Sequence, residues 1–538
     1  MKNFGENMQK LGSKFSNSLL ILFFILVFGL GLRLWYFPFD VPIATDGFFS
    51  FVYASKTVLD QALPIGYDTT NSGWSNFLSI IFFFFDKSDP LYMMGIQRVT
   101  SIVLSCLTII PGFFIFNKFT NAKIALVGCL VLAVEPRMLL ISLEGINFSI
   151  FFFLIVLTIG LFLNKNKSIR YLSFVCVGLL SLIRYEGVLL FIPLAIMFLR
   201  NSSKKEFISK IFVISIIIGC IIIPVSLLRM DATAENCYEI GKINICGRDG
   251  ILSSFFDRTS DMNNRIQGTP DLDDRVSYDN ERILKFIFYS VTNFSKFFSL
   301  SLIPVFIFFI LLTIISLKKN EFLKKKSDLL ILFTLTCFLI LPSFYAYGRD
   351  FLEIRYVLVA IPLLVSFSMF GIDYFSNKGE NRKILIFFII IILAVSIIFL
   401  HFEARDRLAD LQSFEISKKI VELTDTTNTY YQSGYIKTAL LVSDWPDLPA
   451  PKDNGKLPQN FKKISIEKYE RFEDFMEDSR NLNLKYIVVE EHNKIFAEFN
   501  KNKAKYGYLE KVFDSRDLEQ GFEKEFSIYK INYEEKRT

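Results

Sequence analysis

The sequence predicts a polytopic α-helical membrane protein with a C-terminal α/β domain outside the bilayer. Three observations lead there. Of 538 residues, 52% are hydrophobic and 60 are phenylalanine, with a mean hydropathy of +0.38; no soluble core of this size absorbs that much apolar surface. Several apolar runs reach the roughly 20 residues that cross a bilayer. Loop lysines and arginines fall in clusters that a single membrane orientation places on one face.

The first run, Leu19–Phe37, is too long for a signal peptide and no small-residue cleavage site follows it, so it reads as a retained span. About eleven spans are expected, at 19–37, 94–116, 123–141, 146–163, 169–183, 187–199, 207–228, 297–317, 327–345, 356–373 and 384–400. The run Phe77–Phe85 is too short to cross and is expected along the interface or as a re-entrant segment. With a cytoplasmic N-terminus, the clusters Lys2/Lys10/Lys14, Lys118/Lys123, Lys165/Lys167/Arg170, Arg200/Lys204/Lys205/Lys210, Lys318/Lys319/Lys324–Lys326 and Lys378/Arg382/Lys383 all lie on the cytoplasmic face. The net charge of +6 is therefore about topology, and no nucleic-acid partner is expected.

Residues 1–403 then form a transmembrane domain and 404–538 an extracytoplasmic one. In the latter, Ala404–Thr424 has helical spacing, Thr438–Ser443 and Leu484–Glu490 read as strands, Asn493–Tyr506 as a helix, and Phe522–Tyr533 alternates as a strand. Trp445–Pro451 is a proline-punctuated loop. Mixed elements over this length fit one small α/β domain.

Cys106, Cys129, Cys176, Cys220 and Cys337 sit in apolar runs as small hydrophobes. Cys237 and Cys246 share the long polar loop 229–296 and can close a disulfide if it faces an oxidising compartment. There is no CxxC, and His401 and His492 lie far from both cysteines, so no metal site is assigned.

Ionisable residues gather at the outer ends of the spans: Arg33, Arg98, Glu135, Arg137, Glu144, Arg184, Glu186, Arg349, Glu353 and Arg355. A charge at mid-bilayer costs about 2.5–3.5 kcal/mol even on lenient scales. Snorkelling end charges or structural pairs are the plain reading; for Arg184-Tyr-Glu186-Gly187, a structural pair and a substrate contact both fit. Asp46 stands just beyond the first span in Val41-Pro-Ile-Ala-Thr-Asp-Gly-Phe-Phe49.

These pieces resemble a known family. Thr45-Asp46-Gly47 is similar to the acidic motif that opens the polyprenyl-phosphate-dependent GT-C glycosyltransferases, of the protein O-mannosyltransferase and aminoarabinose-transferase kind. Gln97-Arg98-Val-Thr-Ser101 resembles the Arg-containing start of their second span, and Ser142-Leu-Glu144-Gly, after Pro136, their second acidic position. Leu182-Ile-Arg184-Tyr-Glu186-Gly187-Val188 resembles their T-R-x-E-G run, and Ile354-Arg355-Tyr356 to Pro362 their late R-Y-x-x-x-x-x-P helix. The resemblance runs in order over residues 19–400.

It implies an integral membrane glycosyltransferase at the cell membrane, of hexosyl- or mannosyltransferase kind. The enzyme moves a sugar from a polyprenyl (dolichyl) phosphate to a glycan, lipid or protein acceptor by direct inverting displacement. Asp46 is the implied base, and Glu144 orients the acceptor or raises the Asp46 pKa by like-charge repulsion in a shared cavity. Arg349 and Arg355, then Arg184, with Arg98, are the implied ligands of the donor phosphate. Glu186 and Glu353 support the acceptor site.

The chain also departs from the pattern. Phe148 stands where many members carry a further acid, and Gly47 follows Asp46 where some have a second one; a divalent metal is therefore a possible cofactor and not a required one. The Trp-Trp-Asp-Tyr-Gly motif of oligosaccharyltransferase catalytic subunits is absent and Ser443-Asp-Trp445 does not replace it, which speaks against transfer of a whole glycan to an Asn sequon. The rival class is a transporter or lipid-linked-sugar flippase. The lack of duplicated halves counts against it, as does a large external domain after the last span. A structural membrane protein with a cell-surface domain is a third reading, and it leaves the charges on one face unexplained.

Overall fold

The computed structural model describes residues 2–63, 72–200, 202–230, 237–240, 243–246, 280–302, 310, 314, 326–348, 352–377, 382–403, 407–423, 429–430, 435–445, 469–490, 494–501, 503–517 and 525–533. The chain forms two compact units. Met1–Phe37, Asp68–Phe83 and Ile96–Ala404 make the first; Pro38–Tyr67, Phe84–Gly95 and Arg405–Thr538 make the second.

The helices up to residue 230 are α1 (Lys2–Trp35), α2 (Thr45–Asp60), α3 (Gly73–Phe82), α4 (Pro90–Leu107), α5 (Ile109–Phe119), α6 (Ala122–Val134), α7 (Pro136–Leu143), α8 (Phe148–Phe162), α9 (Lys167–Ile183), α10 (Phe191–Leu199) and α11 (Lys204–Met230). Helices Asn280–Leu302, Lys326–Gly348, Arg355–Leu358, Ile361–Asn377 and Arg382–Glu403 complete the first unit. Among the described residues, four helices are long and apolar enough to cross a membrane, within Asn17–Trp35, Pro90–Phe119, Lys205–Val225 and Ile386–Leu423, where about eleven spans are expected from sequence. A fifth counts if α6 and α7 are one broken span, bent by 46°. Other expected spans are shorter helices such as α8, whose 15 residues extend only about 22 Å. The Asn280–Leu302 helix begins inside what the sequence presents as the loop 229–296, because its apolar face alternates with charges at helical spacing and no run of spanning length marks it.

The α6–α7 break has a clear cause. Pro136 opens α7, and Glu135 caps it with its carboxylate accepting from Met138 N at 2.6 Å. The break leaves the Ala133 carbonyl outside the helix ladder. Arg33, fully buried on α1, donates to it at 2.9 Å and to Ser105 Oγ at 3.1 Å. Arg33 thus pins the first helix to the broken one, as a structural end charge does.

In the second unit, a four-stranded sheet of order β3-β4-β6-β5 joins Thr429–Tyr430, Tyr486–Glu490, Phe526–Ile531 and Leu509–Asp514. Only β3 and β4 run parallel. Phe472, Phe475, Phe496 and Phe499 from helices Phe472–Asn481 and Lys494–Lys501 cluster with Tyr506 and Tyr529 against it. Ile436–Ser443 is a helix, not the strand that Thr438–Ser443 predicts. Tyr435, Ala439 and Val442 recur at helical spacing and pack with Val41 and Phe414, so the period of burial is near four and not two.

The segments 38–67 and 84–95, read from sequence as parts of a loop, carry α2 and pack with this C-terminal chain. Thr438 Oγ1 donates to the Ile43 carbonyl at 3.0 Å and Trp445 Nε1 to the Lys87 carbonyl at 2.8 Å. Phe51 stacks on Trp445 with centroids 6.1 Å apart, and Arg407 pairs with Asp40.

Candidate functional site

Two turns of the first unit carry the candidate charges Glu144, Arg184 and Glu186. The earlier one carries Glu144. α7 ends at Leu143 with Glu144 as C-cap, and Gly145 follows at φ 70°, the left-handed position that a helix exit favours for glycine. Three side chains tie down the freed carbonyls. Arg98 Nε donates to Leu143 O at 2.9 Å, Gln97 Nε2 to Gly145 O at 2.7 Å, and Trp74 Nε1 to Gly145 O at 3.1 Å. Arg98, Gln97 and Trp74 are buried while Glu144 is exposed. Three buried side chains thus hold the turn, and the Glu144 carboxylate is exposed at it.

Four residues later the chain enters the second site. Phe148 and Phe151 of α8 line a cavity of about 30 Å³, room for about two waters. Arg184, Glu186 and Leu190 line it from the end of α9 and the following 3₁₀ turn (Tyr185–Leu190). Phe338 and Pro342 of the Lys326–Gly348 helix line it too, with Arg355 and Tyr356. Arg184 is the C-cap of α9 in extended conformation, which turns its side chain out of the helix line. Gly187 lets the turn close: a Cβ there sits 2.7 Å from Leu180 Cβ and 2.8 Å from the Leu180 carbonyl carbon.

Tyr356 organises the arginines. The Arg184 guanidinium lies 5.8 Å from its ring centroid and 5.6 Å from that of Phe151. Arg355 lies 5.8 Å from the same Tyr356 ring. Both are cation–π distances. Arg184 Nη2 also donates to Glu186 Oε1 at 3.0 Å, and Arg355 Nε pairs with Glu353. Beneath them, Ser343 Oγ donates to the Tyr356 carbonyl at 2.9 Å and the Tyr347 hydroxyl to the Glu353 carbonyl at 3.0 Å. Two guanidiniums are therefore held in place by a shared ring, each with a neighbouring carboxylate. Each has five N–H donors in a planar fork, more than one carboxylate uses.

Of the residues singled out from sequence, Arg184, Glu186 and Arg355 come together at this cavity, with Glu353 beside Arg355. Arg98 and Glu144 meet at the neighbouring turn. Asp46 belongs to the second unit, exposed in the first turn of α2. Arg349 lies outside the described residues, as do the side chains of Cys237 and Cys246. The backbone of those two cysteines is described: β1 (Cys237–Ile240) and β2 (Ile243–Cys246) pair antiparallel with Cys237 opposite Cys246. Tyr356, Gln97 and Trp74 were not assigned roles from sequence. Tyr356 and Gln97 adjoin the arginines of their motifs, a signal that was present; nothing local marks Trp74. Among the described residues no group of three His, Cys, Asp or Glu side chains comes together.

No family model matches the chain, and no curated protein matches it. Solved structures do. The Archaeoglobus fulgidus oligosaccharyltransferase in complex with Zn and sulfate superposes with a TM-score of 0.53 over 87% of this chain and 68% of that one, at 14% identity. That likeness shows the fold. It agrees with the resemblance to GT-C enzymes that the motifs carry. The same enzyme in its apo form gives 0.48 over 88% and 69% at 11% identity, and tethered to an acceptor peptide with the NVT sequon 0.49 over 88% and 69% at 11% identity.

Proposed function

We propose that this chain is an integral membrane glycosyltransferase that transfers a sugar or glycan from a polyprenyl phosphate carrier to an acceptor outside the cytoplasm. The observation that carries the reading is the pair Arg184 and Arg355 on one tyrosine ring at a single cavity, in a chain with this fold. Ordered guanidiniums at span ends suit a phosphate whose tail lies in the bilayer. The nucleophile attacks C1 of the sugar, its proton passes to the Asp46 carboxylate, and the bond from C1 to the phosphate oxygen breaks. The electron pair stays on the phosphate, where Arg184 and Arg355 stabilise it. Configuration at C1 inverts. Arg349 is a further phosphate ligand in this proposal, and Arg98, by its bond to Leu143 O, supports the Glu144 turn. Glu144 is the second carboxylate facing the acceptor. Glu186 and Glu353 hold the arginines. No step runs through a metal.

This chain lacks the Trp-Trp-Asp-Tyr-Gly motif of oligosaccharyltransferase catalytic subunits. The acceptor class proposed therefore stays at glycan, lipid or protein. The N-terminus is placed in the cytoplasm and residues 404–538 outside, on the loop charges.

The deciding experiment uses membranes, a radiolabelled polyprenyl-phosphate sugar pool and native acceptor. Asp46→Asn lowers transfer by about 10²–10⁴-fold and leaves the protein folded, since Asp46 is exposed. Wild-type transfer by this variant removes Asp46 as the base. Orientation has its own check. Facing cysteines on antiparallel strands are within disulfide reach, so Cys237 and Cys246 are expected joined in non-reducing peptide maps of protein from native membranes. Free thiols there overturn the external placement.

A further inference from the structure

α8 is half-covered at the end away from the arginines. Phe153, Leu157 and Leu161 follow one another at every fourth position and are half-buried, while Leu154, Ile155, Val156, Thr158 and Ile159 between them are buried. Exposed Ile110 and Phe114 of α5 line the same open groove, of about 390 Å³. That lies within the roughly 300–1,000 Å³ of ligand sites.

The groove has a cationic mouth. One helical turn beyond Phe114, α5 carries exposed Lys118. Past the end of α8, Asn164 lines the groove and exposed Lys165 and Lys167 follow. Arg170 Nε donates to the Asn164 carbonyl at 2.7 Å, which fixes a guanidinium at a lining residue. Asn164 Oδ1 accepts from Asn166 N at 2.9 Å and Asn166 Oδ1 from Ser168 N at 3.0 Å, so the loop is ordered. The sequence holds no acid between Glu144 and Glu186. The carboxylate seen at the adjoining α5–α6 turn, Asp373, accepts from Asn121 Nδ2 at 2.9 Å.

An apolar slot ending in cations matches a hydrocarbon chain joined to an anionic head. A soluble anion gains the charges without the slot, and a neutral lipid the slot without the charges. A second copy packed face to face sets like charges against each other. We propose that this groove binds an anionic phospholipid, one chain along α5 and α8 and the phosphate against Lys118, Lys165, Lys167 and Arg170. The site is separate from the arginine cavity at the other end of α8 and stands whether or not the chain is a transferase.

The test uses the full chain in phosphatidylcholine vesicles with a trace of phosphatidylglycerol bearing a photoreactive chain. Cross-links should map to 107–114 and 153–164, exceed those from photoreactive phosphatidylcholine by at least about fivefold, and yield to unlabelled phosphatidylglycerol. Lys118→Gln should lower the preference about fivefold, the worth of one interfacial charge. Leu161→Trp, which fills the slot, should remove the label. The wild-type map needs no variant to fold. Equal labelling by both lipids, labels spread over all helices, or competition by inorganic phosphate overturns the proposal. Preferential labelling by a polyprenyl phosphate probe overturns it too and gives the groove to the donor.

Discussion

At the Phe148 end of α8 two arginines share a tyrosine ring beside a cavity of about 30 Å³; at the Asn164 end exposed lysines surround an open apolar groove of about 390 Å³. Both ends carry positive charge, yet the charge is built differently. Arg184 and Arg355 are largely buried, each beside a carboxylate and a π face. Their forks are ordered before any ligand arrives, which is what stabilisation of a leaving group requires. Lys118, Lys165 and Lys167 are exposed, flexible point charges suited to attracting a headgroup and unsuited to orienting one. One helix thus separates preorganised charge from loosely held charge by about 22 Å.

The sharpest way to break this contrast is to remove a fork. Arg355→Ala should lower kcat/KM for transfer by about 10²–10³-fold, the usual cost of losing a transition-state donor. Arg355→Lys should recover only part of that, because a point charge replaces the planar fork. Full rescue by lysine would mean that the arginine end needs charge alone, and the two ends would then not differ in kind.

Next in size is the ring between the arginines. Tyr356→Leu should cost about 0.5–2 kcal/mol in transfer, the worth of a cation–π contact from exposed to desolvated settings, whereas Tyr356→Phe should stay close to wild type. Steady-state kinetics on both variants separate the ring from the hydroxyl. Equal losses would show that the ring does not hold the guanidiniums.

The smallest effect belongs to the lysine end. Asn166→Ala removes the N-cap of α9 and should lower stability by about 1 kcal/mol, read as a lower thermal midpoint in detergent. Transfer should remain within about twofold, since α9 reaches the arginine cavity only at its far end. A large loss of transfer would show that the two ends are coupled.

Much of this was legible before folding. Arg184 and Arg355 stand out locally as charges beside apolar runs, and Glu144-Gly145 marks a helix exit on its face. Trp74 was not legible: its bond to the Gly145 carbonyl joins residues 71 positions apart. α2 reads as part of a loop because it is not apolar enough to stand out, and its Phe51 stacks on Trp445, hundreds of residues away. Thr438–Ser443 went to the wrong element for the same reason, since Val41 and Ile43 select its helical face.

Composition, run length and loop charge were enough to set the membrane class, the approximate helices and the short list of ionisable residues, because transfer of apolar and charged groups out of water depends mainly on local sequence. Tertiary structure alone decided which of those ions meet. α8 is apolar along its whole length, so nothing within it says which end will face arginines and which a groove. That follows from the neighbours: the Gly187 turn and the Arg355–Tyr356 segment at one end, and α5 and the Asn164–Arg170 loop at the other. Cation–π contacts, ion pairs and grooves exist only between segments, and their geometry appears when the helices pack.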